Sequence, residues 1–156
     1  MIISQTADDS YWSCFISYSS KDAEFVKYLK ERLRGELISV WLDFDQIVHG
    51  GQLTEQIKSA ISKHDKLLIV LSKNSLESDW VEKEIKEALK KDTKVLFPIR
   101  ITSVDEIRKH DFIWDTFKDV PILDFEFDPE HEAVNASFED SFWKLVKSLK
   151  KAKGSS

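Results

Sequence analysis

Short apolar runs alternate with amphipathic stretches along most of this chain, and few architectures accept that alternation. The runs are "WSCFIS", "LISVWLD", "KLLIVLS", "KVLFPIR" and "DVPILDF". A strand with one solvated face alternates apolar and polar residues, whereas a strand that is apolar throughout must be covered on both faces. Between the runs the apolar residues recur at helical spacing: Phe25, Val26, Leu29 and Leu33, then Ile57, Ala60 and Ile61, and finally Phe138, Phe142, Leu145, Val146 and Leu149. Doubly buried strands alternating with amphipathic helices predict an α/β fold. The expected architecture is a flavodoxin-like three-layer sandwich, a five-stranded parallel sheet with helices on both faces.

Local signals suggest where the elements begin and end. The first strand is expected over Tyr11 to Ser17. Ser19 with Asp22 three residues on has the pattern of a capping box, and Gly35 supplies a helix stop. "FDQIVHGGQ" reads as a loop, Leu53 to Lys63 as a helix, and "SDWVEKEIKEAL" as the third helix. The segment "VDEIRKH" suits either a short helix or part of a long connection. Ser137 and Asp140 repeat the capping pattern before the last helix. The expected organisation is a polar leader over 1–10, one domain over 11–150 and a polar tail over 151–156.

A length of 156 residues fits one domain with a core of its own, and 42% hydrophobic against 33% charged residues is an ordinary globular balance. The net charge of -5 argues against nucleic acid as a partner. The lysines of the last helix read as a solvated face. Cys14 is the one cysteine, so no disulfide framework exists and a reducing cytoplasm is expected. Within "WSCFIS" it reads as a small buried hydrophobe rather than a reactive thiol. No basic region followed by a long apolar stretch opens the chain, and no membrane span or membrane partner is expected.

In an open parallel sheet, ligands bind beyond the carboxyl ends of the strands. There the chain delivers "SYSSKD" after the first strand, Asp43 and its loop after the second, and "SKNSLESDW" after the third. Four glycines in the whole chain cannot write GxGxxG or GxxxxGK[ST], which excludes the common nucleotide-binding fingerprints. His49, His64, His110 and His131 lack metal-ligand spacing, and no metal is expected. No GxSxG elbow is present. A phosphoacceptor receiver domain needs an aspartate where the third strand ends, and Ser72 stands there.

Glu84 stands apart from the other acids. With about 100° per residue and Trp80 as origin, Glu84 falls at about 40°, Val81 at about 100° and Ile85 at about 140°. Val81, Ile85 and Ala88 form the core stripe, while Glu82, Lys83 and Lys86 point further towards water. Glu84 lies on the margin beside Trp80. It is either a carboxylate tuned by a partly shielded site or one more solvated charge with a helical partner.

Four ordered blocks, "CFISYSSKD", "VWLDFDQIVHGGQLTEQIKSAI", "KLLIVLSKNSLESDWVEKEIKEAL" and "VLFPIR", together resemble a Toll/interleukin-1 receptor (TIR) domain of the bacterial type. The resemblance runs from about Tyr11 to Leu149. It implies one of two functions: cleavage of the nicotinamide–ribose bond of NAD, giving nicotinamide with ADP-ribose or a cyclic isomer, or assembly with other TIR domains without chemistry. The family's catalytic glutamate ends a WxxxE pattern, which Trp80 and Glu84 match. NAD is then a substrate, and no cofactor is implied. By the same resemblance Tyr18, Ser19, Ser20, Asp43, Val48 and Trp80 border the substrate. Some NAD-cleaving relatives carry arginines at the positions of Ser19 and Ser20 and an acid at that of Val48.

The resemblance further implies self-association with other TIR domains, an attached sensor domain or partner protein, and a place in bacterial antiviral signalling. Nucleoside deoxyribosyltransferases also direct a glutamate at an N-glycosidic bond and form a weaker alternative.

Overall fold

The computed structural model describes residues 10–42, 66–77, 82, 85–86, 90, 96–126 and 136–151. Among them the strands are β1 (Cys14–Ser17), β2 (Val40–Leu42), β3 (Lys66–Leu71), β4 (Leu96–Arg100) and β5 (Leu123–Asp124). The helices are α1 (Ala23–Gly35), α2 (Lys73–Leu76), α3 (Val104–Arg108), α4 (Asp111–Phe117) and α5 (Ala136–Leu149). The strands form one sheet in the order β2-β1-β3-β4-β5, and every pairing is parallel. This is the expected flavodoxin-like sandwich.

The pleat explains why the strands are apolar throughout. Cys14, Ile16, Leu68, Val70 and Ile99 pack on one face with α1 and α5. Phe15, Leu67, Ile69, Leu71 and Leu96 pack on the other with Leu76, Ile85, Ile107, Ile113 and Phe117. Successive side chains of a strand point to opposite faces, so a sheet covered on both sides needs apolar residues at every position. Pro98 is tolerated in β4 because β5 joins only at Ile99, leaving one flank of β4 open where the ring removes a donor.

Several element limits differ from the sequence reading. Tyr11 to Ser13 do not extend β1. Tyr11 forms an isolated antiparallel bridge with Lys150, and the Trp12 amide donates to the Leu149 carbonyl at 2.8 Å. Gly35 is the last turn of α1 rather than its stop. The left-handed residue is Leu37, with φ 63°; its amide donates to Arg34 O and that of Ile38 to Leu33 O, a Schellman closure built without glycine. "VDEIRKH" forms the short helix α3 over Val104–Arg108 and ends at His110, the N-cap of α4. Helix α5 is already turned at Ala136, so Ser137 lies inside it, and Asp140 pairs with Lys144 at 3.1 Å.

Candidate functional site

The chain leaves β1 through a tight corner. Ser19 is the N-cap of a 3-10 turn over Ser20–Asp22, accepting from the Lys21 amide at 3.3 Å, and α1 begins at Ala23. The expected capping box between Ser19 and Asp22 does not form, because the Asp22 side chain is engaged elsewhere. Its Oδ2 accepts from Ser72 Oγ at 2.5 Å and its Oδ1 from Asn74 Nδ2 at 3.0 Å. A long-range pair of hydrogen bonds here satisfies more than one local cap would.

The partners belong to the corner after β3. Ser72 caps α2: its Oγ accepts from the Ser75 amide at 2.9 Å, while the Ser75 hydroxyl accepts from the Ser72 amide at 2.8 Å. Ser75 Oγ also donates to Val70 O at 2.7 Å, locking the corner to the strand. The bridge from Asp22 to Ser72 and Asn74 therefore spans the ends of β1 and β3. That is where the strand order reverses, the switch point at which folds of this kind bind ligands.

Beside the bridge lies a cavity of about 270 Å³, lined by Lys21, Asp22, Glu24, Phe25, Ser72, Lys73, Asn74, Ile101 and Thr102. Its lining combines two lysines, Lys21 and Lys73, with two acids, Asp22 and Glu24, so it carries no single-sign charge. Arg100, at the end of β4, closes the next corner by pairing with Asp124 at 3.1 Å and Glu126 at 2.9 Å.

Of the residues expected to meet substrate, Tyr18, Ser19 and Ser20 follow β1 in succession. Tyr18 is packed in the core on the α1 side, Ser19 is buried as a cap, and Ser20 is exposed. Asp43, Val48, Trp80 and Glu84 lie outside the described residues. Their described neighbours agree with the helical wheel: Ile85 is fully buried, and Glu82 and Lys86 form an exposed pair at 3.3 Å, the lysine lying 5.0 Å from the Phe112 ring centre.

The sequence reading missed the part played by Asp22, Ser72 and Asn74. The signal was present, since all three follow strand ends on the ligand-binding rim. Cys14 is fully buried, and burial pushes its thiol up to about 12, as a core residue requires and a nucleophile does not. Among the described residues no three side chains are placed to hold a metal, and no helix is long and apolar enough to cross a membrane.

A family model described as "TIR domain" matches residues 14–138. The chain is similar to the NAD(+) hydrolase TcpA of Theionarchaea archaeon (strain DG-70-1), 30% identical over 56% of this chain and 28% of that protein. It is similar to the NAD(+) hydrolase TcpC of Escherichia coli O6:H1, 26% identical over 62% of this chain and 33% of that protein. It also resembles the probable 2' cyclic ADP-D-ribose synthase TcpO of Methanobrevibacter olleyae, 31% identical over 47% of this chain and 22% of that protein. The matched regions thus span a third or less of each relative's length. Among solved structures, the TIR domains of the activated Roq1 resistosome superpose with a TM-score of 0.61 at 16% identity, covering 88% of this chain and 99% of that one, which is a likeness of fold.

Proposed function

The chain belongs to the TIR domain family, and from that premise we propose that it cleaves the nicotinamide–ribose bond of NAD, with Glu84 as the catalytic carboxylate. The carrying observation is the Trp80 to Glu84 pattern in the segment that leaves the carboxyl end of β3, within the stretch matched by the family model. The names of the relatives, two NAD(+) hydrolases and a cyclic ADP-ribose synthase, support the same reading.

The chemistry asks little of the protein. Nicotinamide in NAD carries a positive charge, so it leaves as a neutral molecule with the bonding pair and needs no acid. The ribose becomes oxocarbenium-like, and a carboxylate beside it stabilises the developing cation or orients the attacking hydroxyl. Water, adding and losing a proton, gives ADP-ribose. A hydroxyl of the substrate itself gives a cyclic isomer, and exclusion of water from the pocket decides between them. In this reading Tyr18, Ser19, Ser20, Asp43, Val48 and Trp80 border the substrate, the first two by shaping the wall from within the fold.

Self-association completes the site, and the domain works in prokaryotic immune signalling under the control of a sensor. Nicotinamide and nucleotide products, separated by chromatography after incubation with NAD over a range of protein concentrations, test the proposal. Release that grows faster than protein concentration is expected. NAD left intact at the highest concentration, with the protein assembled, would instead favour an interaction module without chemistry.

A further inference from the structure

The segment that carries Glu84 leaves the sheet at Ser72. On the far side, Ile85 is buried against the face of β3 and β4. On the near side, the direction of departure is set by the corner of Ser72, Asn74 and Ser75, where the Asp22 carboxylate accepts from both Ser72 and Asn74. Ser72 is buried, and both oxygens of Asp22 accept there from side chains fifty residues or more away in sequence. Asp22 stands at the N-cap of α1 but makes no side-chain cap there, its carboxylate being given to this contact.

We propose that Asp22 is a positioning residue: it clamps the corner after β3 and thereby fixes the segment leading to Glu84 for cleavage of NAD. The inference rests on the proposed activity for its catalytic consequence, but the clamp is geometric. Two carboxylate oxygens receive one hydroxyl and one amide, so α2 is held in translation by Ser72 and in rotation by Asn74. Displacements of about 1 Å in a group that must meet substrate can lower turnover by up to about 10²-fold.

The donor–acceptor pattern provides a test by exchange. Asn74→Asp replaces the donor with a second carboxylate facing Asp22, and the corner must open. Adding Asp22→Asn restores one donor and one acceptor, with the introduced amide donating to the new carboxylate and its oxygen still accepting from Ser72. At a temperature where circular dichroism shows each protein folded, Asn74→Asp should lower kcat about tenfold with KM within about twofold, and the double variant should recover most of that loss. Hydrogen exchange of peptides covering Lys73 to Lys86 should speed up about fivefold or more in Asn74→Asp and return towards the parent rate in the double variant.

Unchanged kcat with a lower melting temperature would reduce the contact to a structural staple. A raised KM with unchanged kcat would make Asp22 a substrate contact, and loss without recovery in the double variant would remove the pairing. All three overturn the proposal. If the parent protein releases no nicotinamide, the proposed activity fails, and the exchange measurement still decides the clamp: equal exchange in all three proteins would overturn it.

Discussion

Arg32 of α1 and Glu139 of α5 meet in a two-pronged ion pair, Nη1 to Oε1 at 2.6 Å and Nη2 to Oε2 at 2.9 Å. The guanidinium also donates to the Tyr28 hydroxyl at 3.1 Å and lies 4.3 Å from the ring centre of Phe142. The parallel fork suits a planar guanidinium and not an ammonium. It joins the first and last helices on the same face of the sheet.

This pair predicts a pH dependence. The hydrogen bonds from Arg32 hold the Glu139 carboxyl below its usual value of 4.5, against a smaller opposing effect of desolvation. A carboxyl lowered in the folded state adds stability that is present above its unfolded value and fades as pH falls through the folded one. The difference in melting temperature between the parent and Glu139→Gln should therefore be largest near neutrality and shrink below pH 4.5. Both groups are partly exposed, so salt should reduce the difference as well. A gap that persists unchanged into strong acid would mean that Glu139 acts through packing alone.

Leu37 provides a prediction of opposite sign. It occupies the left-handed position that closes α1, with φ 63°, and its side chain is 48% exposed. Left-handed backbone costs a residue with a Cβ roughly 1–2 kcal/mol, and glycine gives back roughly 0.5–1 kcal/mol of that through its freer unfolded chain. Leu37→Gly should accordingly stabilise the domain by about 0.5–1 kcal/mol in urea denaturation. A loss of stability would show that Leu37 contributes more through contacts than its exposure suggests.

Cys14 should be silent towards thiol reagents while the protein is folded. Burial raises its pKa to about 12, and only the thiolate reacts. Labelling near pH 8 should be slow in buffer and fast in denaturant. Equal rates in the two conditions would contradict a core role.

Much of this fold was legible because the strongest signal, apolar residues at every strand position, is a direct consequence of two-sided burial. Phe15 and Ile16 illustrate it: neighbours in sequence, they belong to cores on opposite faces of β1. Corners were less legible. Ser19 and Asp22 have the spacing of a local cap, but the carboxylate finds better partners across the sheet, and no spacing rule reports a residue fifty positions away. Helix α2 escaped notice because its capping box uses Ser75 where glutamate or glutamine is the usual signal. Leu37 was hidden by Gly35, the residue that conformational preference favours. At the candidate site, the wheel around Trp80 placed Ile85 inwards and Glu82 and Lys86 outwards, as found. The role expected of Glu84 came from the family resemblance, since the wheel left a solvated charge open as well.

Nicotinamide release by the parent, Glu84→Gln and Glu82→Gln proteins, compared at equal concentration with folding checked by circular dichroism, tests the central claim most directly. Glutamine keeps the volume and helix propensity of glutamate while removing its charge, so Glu84→Gln should stay within about 1 kcal/mol of the parent in stability. Glu82 is the matched control, since its exposed pairing with Lys86 is worth at most about 0.5 kcal/mol. The account predicts a loss of roughly 10²-fold or more in NAD cleavage for Glu84→Gln and near-parent activity for Glu82→Gln. A parent that cleaves NAD alongside a Glu84→Gln protein that cleaves it equally well would contradict it.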